Sequence, residues 1–236
     1  MPPLFAFALL AVAATAQAGS IQLTPVRINL SAAAKVAVLT VRNTGSENSV
    51  MQVTLNKWTL EGGNDAYQQS QDLVITPVTF RLAPGAQQIV RIGLRNLAAP
   101  ANEGTYRLLV EEVPPPQSAG VTQTRLIVRH DLPVFIAPAD PVNAGLDISV
   151  ECVPGGGNLH VTNMGNVHAQ LRNVVFETNP GKQLLASWDT AEYLLPTAQK
   201  RWSLAKVAAH AVGKTFKVTA LTDHGSFSAD VTKVCP

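Results

Sequence analysis

Five histidines, two cysteines, an adjacent pair of glutamates and three arginines set among apolar residues are the side chains here that could do chemistry. His130, His160, His168, His210 and His224 make no His-x-His or His-Glu-x-x-His pattern and no Cys/His cluster of metal-ligand spacing, so no metal is implied. His160 and His168 fall on successive expected strands and could meet, but they read more simply as surface or internally satisfied residues. Glu111 and Glu112 are neighbours on an expected strand. Their side chains therefore point to opposite faces and cannot share a proton. The stretch "VPGGGN" lacks the Gly-Lys-Ser/Thr ending of a phosphate loop and reads as a hairpin turn. No Gly-x-Ser-x-Gly elbow occurs, and "NLS" at Asn29 matches a glycosylation sequon that is frequent by chance. Nothing here composes an enzyme, and no cofactor is implied.

The arginines are more informative. Arg27 lies in "TPVRINL" between residues that should be half buried. A guanidinium beside an apolar face needs a carboxylate, and its planar fork takes one bidentately. If the chain does not supply that carboxylate, the terminus of another protein can. Arg91 in "QQIVRIGLRN" and Arg129 in "LIVRHDL" read as strand-margin arginines with packed stems and solvated heads. A net charge of +2, 14% charged residues and no Lys/Arg run argue against a nucleic-acid binder.

The elements that must position these residues are strands. Period-2 alternation runs through 21–30, 34–43 and 49–60, then through "LVITPVTFRLAPGAQQIVRIGLRN" and "TYRLLVEEVPPP". In 34–43, Val36, Val38, Thr40 and Arg42 share one face and Ala37, Leu39 and Val41 the other. Pro84-Gly85 suits the two central positions of a type II turn. "APADPVNAG" (137–145) is rich in Pro and Ala without alternation and reads as a linker; strands then resume to the end. No helical period and no internal repeat is apparent. The expected fold is all-β, with two β-sandwiches of the immunoglobulin type.

Residues 1–18 read as a secretory signal, with an apolar run over 4–14 and Ala16-Gln17-Ala18 before the cleavage point, although no Lys or Arg precedes the run. In an exported chain the pair Cys152 and Cys235 reads as one disulfide. It would close a loop of about 80 residues and contribute ~4 kcal/mol in the chain-entropy model.

The stretch "TRLIVRHDLPVFIAP" (124–138) is long, apolar and interrupted by Pro133, which places it at a sheet edge. Such an edge invites another chain to pair with it. In the order and spacing of "PVRINL", "PVTFRLAPGAQQIVRIGL", "YRLLVEEVPPP" and "LIVRHDLPVFIAPA", and in "GGGNLHVTNMGNVHAQLRNVVF" further on, the sequence resembles the periplasmic chaperones of chaperone–usher pilus assembly. The resemblance implies two immunoglobulin-like domains in a boomerang, at 19–138 and 146–236 with a linker at 139–145. It implies pilus or fimbrial subunits and an outer-membrane usher as partners, no nucleic acid, and a periplasmic location. It also implies donor-strand complementation, in which an edge strand of the chaperone fills the open groove of an incomplete subunit. Leu126 and Val128 would then be donors, extended by Thr124 and Gln123, with Ile127 facing the chaperone's own core. Weak self-association through that strand is the corresponding free-state expectation.

By the same resemblance Arg27 falls on the arginine that anchors the subunit's terminal carboxylate, but the usual lysine position falls on Pro133. Arg91, Arg129 or His130 would have to substitute. An arginine usual between the domains is replaced by Ala137. The missing lysine suggests a divergent branch, and "RHDLPVFI" with the second-domain cysteine pair resembles the archaic or spore-coat-like one; the absent arginine implies interdomain contacts built differently. The competing expectations are an exported two-domain β-sandwich adhesin or binding module and, more remotely, a secreted hydrolase with a scattered site.

Overall fold

The computed structural model describes residues 21–96, 98–114, 127–153, 156–179, 183–205 and 215–232, and these form strands, turns and bends without a helix. Alternation builds two sandwiches. In the first, β1 (Ile21–Thr24), β3 (Val36–Asn43), β8 (Gln87–Leu94) and β6 (Leu73–Thr76) lie side by side in the order β1-β3-β8-β6. The facing sheet runs β2 (Ile28–Leu30), β10 (Arg129–Ile136), β9 (Gly104–Glu112), β4 (Ser49–Glu61), β5 (Asn64–Gln69), with β7 (Thr79–Leu82) also paired to β4. Leu39, Val41, Val90 and Ile92 meet Met51, Val53, Leu108, Val110 and Val134 in a buried core. Each such side chain is worth about 1.5–3 kcal/mol on leaving water.

The second sandwich packs β11 (Leu146–Val153), β12 (Gly156–Asn163) and β15 (Gln199–Ala205) against β14 (Leu184–Leu194), β13 (Ala169–Asn179), β16 (Thr215–Thr222) and β17 (Gly225–Thr232), the latter in the order β14-β13-β16-β17. Its core includes Leu159, Val161, Leu171 and Val218, with Phe176 and Phe216 stacked at 5.0 Å. The expected turn at Pro84-Gly85 is present, Gly85 taking φ +74°.

Three expectations change. The run 21–30 is not one strand: β1 pairs with β3, whereas β2 pairs in parallel with β10 in the other sheet. Pro25 cannot continue a ladder, and the chain changes sheets across it. The stretch 124–138 is an edge only in part. β10 is antiparallel to β9 throughout, and its partner on the other side, β2, begins at Val134↔Ile28. Pro133 stands one residue before that pairing starts, and among the described residues no strand pairs with 129–133 on that side. Finally, Ile127 does not face the core: it is 47% exposed. Leu132, Val134 and Ile136 are the core-facing positions of β10, and Ile127 belongs to the opposite parity.

A short internal repeat does exist. Val-x-Asn-x-Gly recurs at 41–45 and 161–165, and both asparagines are buried at 0% and 1% exposure. Asn43 donates to the carbonyls of Glu47 and Leu82, and Asn163 to those of Val167 and Leu194. Each accepts from the glycine two residues on, at 2.9 Å. One polar corner thus closes both sandwiches.

Candidate functional site

The outer face of the β2-β10-β9-β4-β5 sheet turns toward the second sandwich, and register orders its residues into rows. Asn29, Phe135, Thr105 and Trp58 make one row across four strands. The second sandwich covers the Phe135 and Trp58 part of this row, 2% and 1% exposed and packed with Leu195 and Tyr193, while Asn29 at its end is exposed. Trp58 meets the Tyr193 ring edge-on at 5.3 Å.

The next row lies at the margin of that contact. Pro133 pairs with Arg107, and Arg107 with Asn56. Arg27 immediately precedes β2, so continuing the parallel register sets it on the other side of Pro133. Two guanidinium groups therefore flank a buried proline, about two strand spacings (~9.6 Å) apart at the backbone. Arg107 lies flat over Trp58 at 3.7 Å and reaches Asp131 at 3.6 Å. Arg27 sits over the Phe135 ring at 4.9 Å. The Nε atoms of both arginines are buried without a hydrogen-bond partner.

Arg27 is not without a carboxylate. Its Nη1 and Nη2 both donate to Asp223 Oδ2, each at 3.1 Å, from the turn between β16 and β17. The same oxygen lies 2.8 Å from His168 Nε2, and the other ring nitrogen, Nδ1, lies 2.6 Å from Glu103 Oε2. Glu103 also accepts from the His168 backbone N–H at 2.9 Å, while the Glu103 N–H donates to the Asn166 carbonyl at 2.8 Å. His168 is 3% exposed at its side chain and stacked on Phe135 at 3.8 Å. A neutral imidazole carries one N–H and one lone pair. A carboxylate on each nitrogen favours hydrogen on both, the imidazolium form, although Arg27 Nη2 also lies against Nε2. Burial opposes that charge, but the hydrogen bonds and charges of Asp223 and Glu103 outweigh it and raise the pKa above the ordinary histidine value. Burial would raise Asp223 too. The His168 hydrogen bond, the Gln170 amide at 2.9 Å and the charges of His168 and His224 instead hold it far below the carboxylate range.

The residues singled out from sequence are thus distributed unevenly. Arg27 is at the junction. Arg129 is on the same strand as Pro133 but four residues away, roughly 13 Å along it, exposed and opposite Glu111. Arg91 is exposed on the outer face of the other sheet, opposite Val38 and Thr76, and does not come near Arg27's face. His130 is half buried on β10 with a buried, unpartnered Nε2, on the core-facing parity rather than in the row of Arg27. Val128 is half buried just before β10. Gln123, Thr124, Leu126, His210 and Cys235 lie outside the described residues, as do the signal segment and the side chain of Cys152. His160 and His168 do not meet: His160 pairs with Glu151 at 3.2 Å on the second sandwich's own surface. Arg107, Glu103, His168 and Asp223 were not evident as a group from sequence. The one local signal is that Arg107 interrupts the outward parity of "TYRLLVEE" between Thr105 and Leu109.

The model of the pili and flagellar-assembly chaperone family (PapD N-terminal domain) matches residues 20–141, just over half of the chain. No curated protein matches the sequence significantly. Among solved structures, the chain is similar to one from the CsuC–CsuE chaperone–tip adhesion subunit pre-assembly complex of the archaic chaperone–usher Csu pili of Acinetobacter baumannii. That match has TM-score 0.66 and 17% identity, covering 92% of this chain and 100% of that one. It is similar to the Escherichia coli chaperone DraB, with TM-score 0.60 and 19% identity over 90% of this chain and 97% of that one. A chain of the Salmonella enterica SafA pilin–SafB chaperone complex matches with TM-score 0.61 and 19% identity, over 91% and 98% of the two chains.

Proposed function

The chain belongs to the pili and flagellar-assembly chaperone family, and from that premise we propose that it holds pilus or fimbrial subunits by lending them its open edge while cations at the domain junction fix the subunit's terminal carboxylate. Two immunoglobulin-like domains at 19–138 and 146–236, joined through 139–145, frame the cleft. The subunit strand adds alongside 123–133, where β10 has no partner toward β2. Val128 and Leu126 share the parity of Leu132 and Val134, the parity that fills a sandwich interior. Beyond the chaperone's own core, these side chains enter the subunit's groove instead. Thr124 and Gln123 extend the pairing. Main-chain hydrogen bonds give the affinity and the alternating side chains the specificity.

One observation carries the reading: Arg27 and Arg107 flank buried Pro133 at the foot of the open edge. Arg107 takes the role that a lysine at position 133 would have, reaching the same place from the neighbouring strand. A carboxylate there meets two guanidinium groups whose stems are already packed on Phe135 and Trp58, so little side-chain freedom is lost on binding. Arg129, on the same face farther out, steers the approaching chain. The signal segment delivers the protein to the periplasm, where Cys152 and Cys235 form their bond, and an outer-membrane usher receives the loaded complex.

The test is co-purification from the periplasm with small exported proteins encoded beside it, using wild type, Arg27→Ala, Arg107→Ala and Leu126→Glu. A subunit retained one to one by the wild type and lost with all three variants is expected. Capture indifferent to both arginines and to the edge substitution would sink the mechanism and bring the adhesin reading forward.

A further inference from the structure

Arg27, the proposed anchor, already holds a carboxylate, and that carboxylate comes from the other sandwich. Asp223 stands in the β16–β17 turn, 196 residues away in sequence. Oδ1 is held by the Gln170 N–H at 2.9 Å, while Oδ2 is shared by Arg27 and His168. The Arg27 side chain is 32% exposed and that of Asp223 12%, so Arg27 is the more open of the two toward solvent, with its Nε buried. We propose that Asp223 is an internal substitute for the subunit's terminal carboxylate. It occupies Arg27 in the unloaded protein, and an arriving chain terminus displaces it, so that filling the anchor and loosening the contact between the two sandwiches are one exchange.

The argument rests on charge and geometry, and on the carboxylate-anchoring role given to Arg27 above. The Arg27 guanidinium holds Asp223 through Oδ2 alone, and its Nη2 also touches His168 Nε2. A second carboxylate offering two oxygens in the fork's plane makes the better bidentate partner. Two carboxylates at one guanidinium repel each other, so the newcomer and Asp223 compete. When Asp223 yields, it keeps Gln170 and His168, both of its own sandwich, and gives up its tie to Arg27 of the other one. The other groups facing His168 are Glu103 from before β9, Phe135 of β10, Tyr193 of β14 and His224, whose Nε2 donates to the His168 carbonyl at 2.9 Å. The Arg27 and His168 cations lie against each other and are held together by the Asp223 oxygen between them. Reciprocity then requires that whatever weakens Asp223's hold on Arg27 strengthens carboxylate binding by the same factor.

The experiment uses the intact two-domain chain with sodium acetate as the carboxylate probe, against sodium chloride at matched ionic strength, followed by NMR of the Arg27 side chain, the His168 ring and the Gln170 amide. Asp223→Asn should lower the acetate midpoint by about tenfold, and Arg27→Ala should abolish the response in both backgrounds. An unchanged or higher midpoint in Asp223→Asn overturns the proposal. If that variant does not fold, the wild type decides alone. Movement of His168 and Gln170 with the same midpoint as Arg27 is expected, and an Arg27 response that leaves them still overturns the exchange. Subunit capture is scored separately, so capture indifferent to Arg27→Ala faults the anchoring role and leaves the acetate result to judge the Asp223 exchange.

Discussion

Replacing Glu103 by Gln preserves the shape of the side chain and an acceptor for the His168 backbone N–H, and it removes one of the two negative charges that keep His168 protonated. Glu103 Oε2 receives two hydrogen bonds from His168, at 2.9 Å from the amide and 2.6 Å from Nδ1, with the two side chains 7% and 3% exposed. A hydrogen bond to a charged group contributes about 1.5–3 kcal/mol, and stripping one partner from a buried ion pair costs about 3–5 kcal/mol. The imidazolium can escape the larger penalty by releasing its proton, and Asp223 still holds Nε2. The expected loss is therefore about 2 kcal/mol where His168 is charged.

The sign of the pH dependence follows from the direction of the His168 shift. Its folded pKa is raised, so its contribution is fully present below the unfolded value of about 6.5 and is lost as pH rises through the folded pKa. Urea unfolding of wild type and Glu103→Gln at intervals from about pH 5.5 to 9, with the ring titration read by NMR, measures both quantities. The stability gap should be widest at the acid end and close as wild-type His168 loses its proton. A gap that stays constant, or widens toward alkaline pH, would refute the assignment of His168 as an imidazolium between two carboxylates.

Two further outcomes follow from the packing. A Cβ at Gly165 would stand 2.1 Å from the Asn143 carbonyl oxygen and 2.8 Å from the Gly145 nitrogen, so Gly165→Ala must push the 143–145 segment off the second sandwich. Lower thermal stability and proteolytic cleavage within that segment are expected; limited proteolysis identical to wild type would contradict it. Asn43→Ala and Asn163→Ala each remove the donor to two backbone carbonyls, at least one of them buried, and the acceptor for one glycine N–H, a loss of about 2–4 kcal/mol. Hydrogen exchange should show the loss confined to the sandwich that carries the change, and equal deprotection of both sandwiches by either substitution would count against two separate cores.

Much of the fold was legible because alternation states directly which side of a strand is dry. The faces read for Val36–Asn43 match their burial, with Leu39 and Val41 at 0% exposure and Val36 and Val38 at 60% and 47%. Parity tells less once a strand runs past the sheet it packs against. Ile127 is apolar and was expected inside, yet its parity is that of Arg129, Asp131 and Pro133, and nothing in a period of two says where the opposing sheet stops. The split at Pro25 was hidden for a related reason, since a run that changes sheets keeps its alternation. The Asn corners could have been found from Val-x-Asn-x-Gly occurring twice, which matters because the motif also fixes where His168 emerges, five residues after Asn163.

The junction itself was not legible, and the reason is topological. Glu103, His168, Asp223 and Arg27 come from four strand ends with 55 to 196 residues between partners, and no local spacing encodes them. Sequence could state that Arg27 needs a carboxylate, that a lysine is missing at Pro133 and that an arginine is missing at Ala137; it could not say what fills those places. In the reading proposed above, residues on other strands serve there. Arg107 stands one strand over from Pro133, and His168 from the second sandwich lies between the carboxylates. A histidine at a domain contact carries its charge on different terms from an arginine. Arginine stays protonated at any physiological pH, whereas the His168 charge lasts only while both carboxylates surround it. On the proposed exchange, Asp223, which bonds Arg27 of the first sandwich and His168 of the second, is the point at which occupation of the cleft would be felt by the second sandwich.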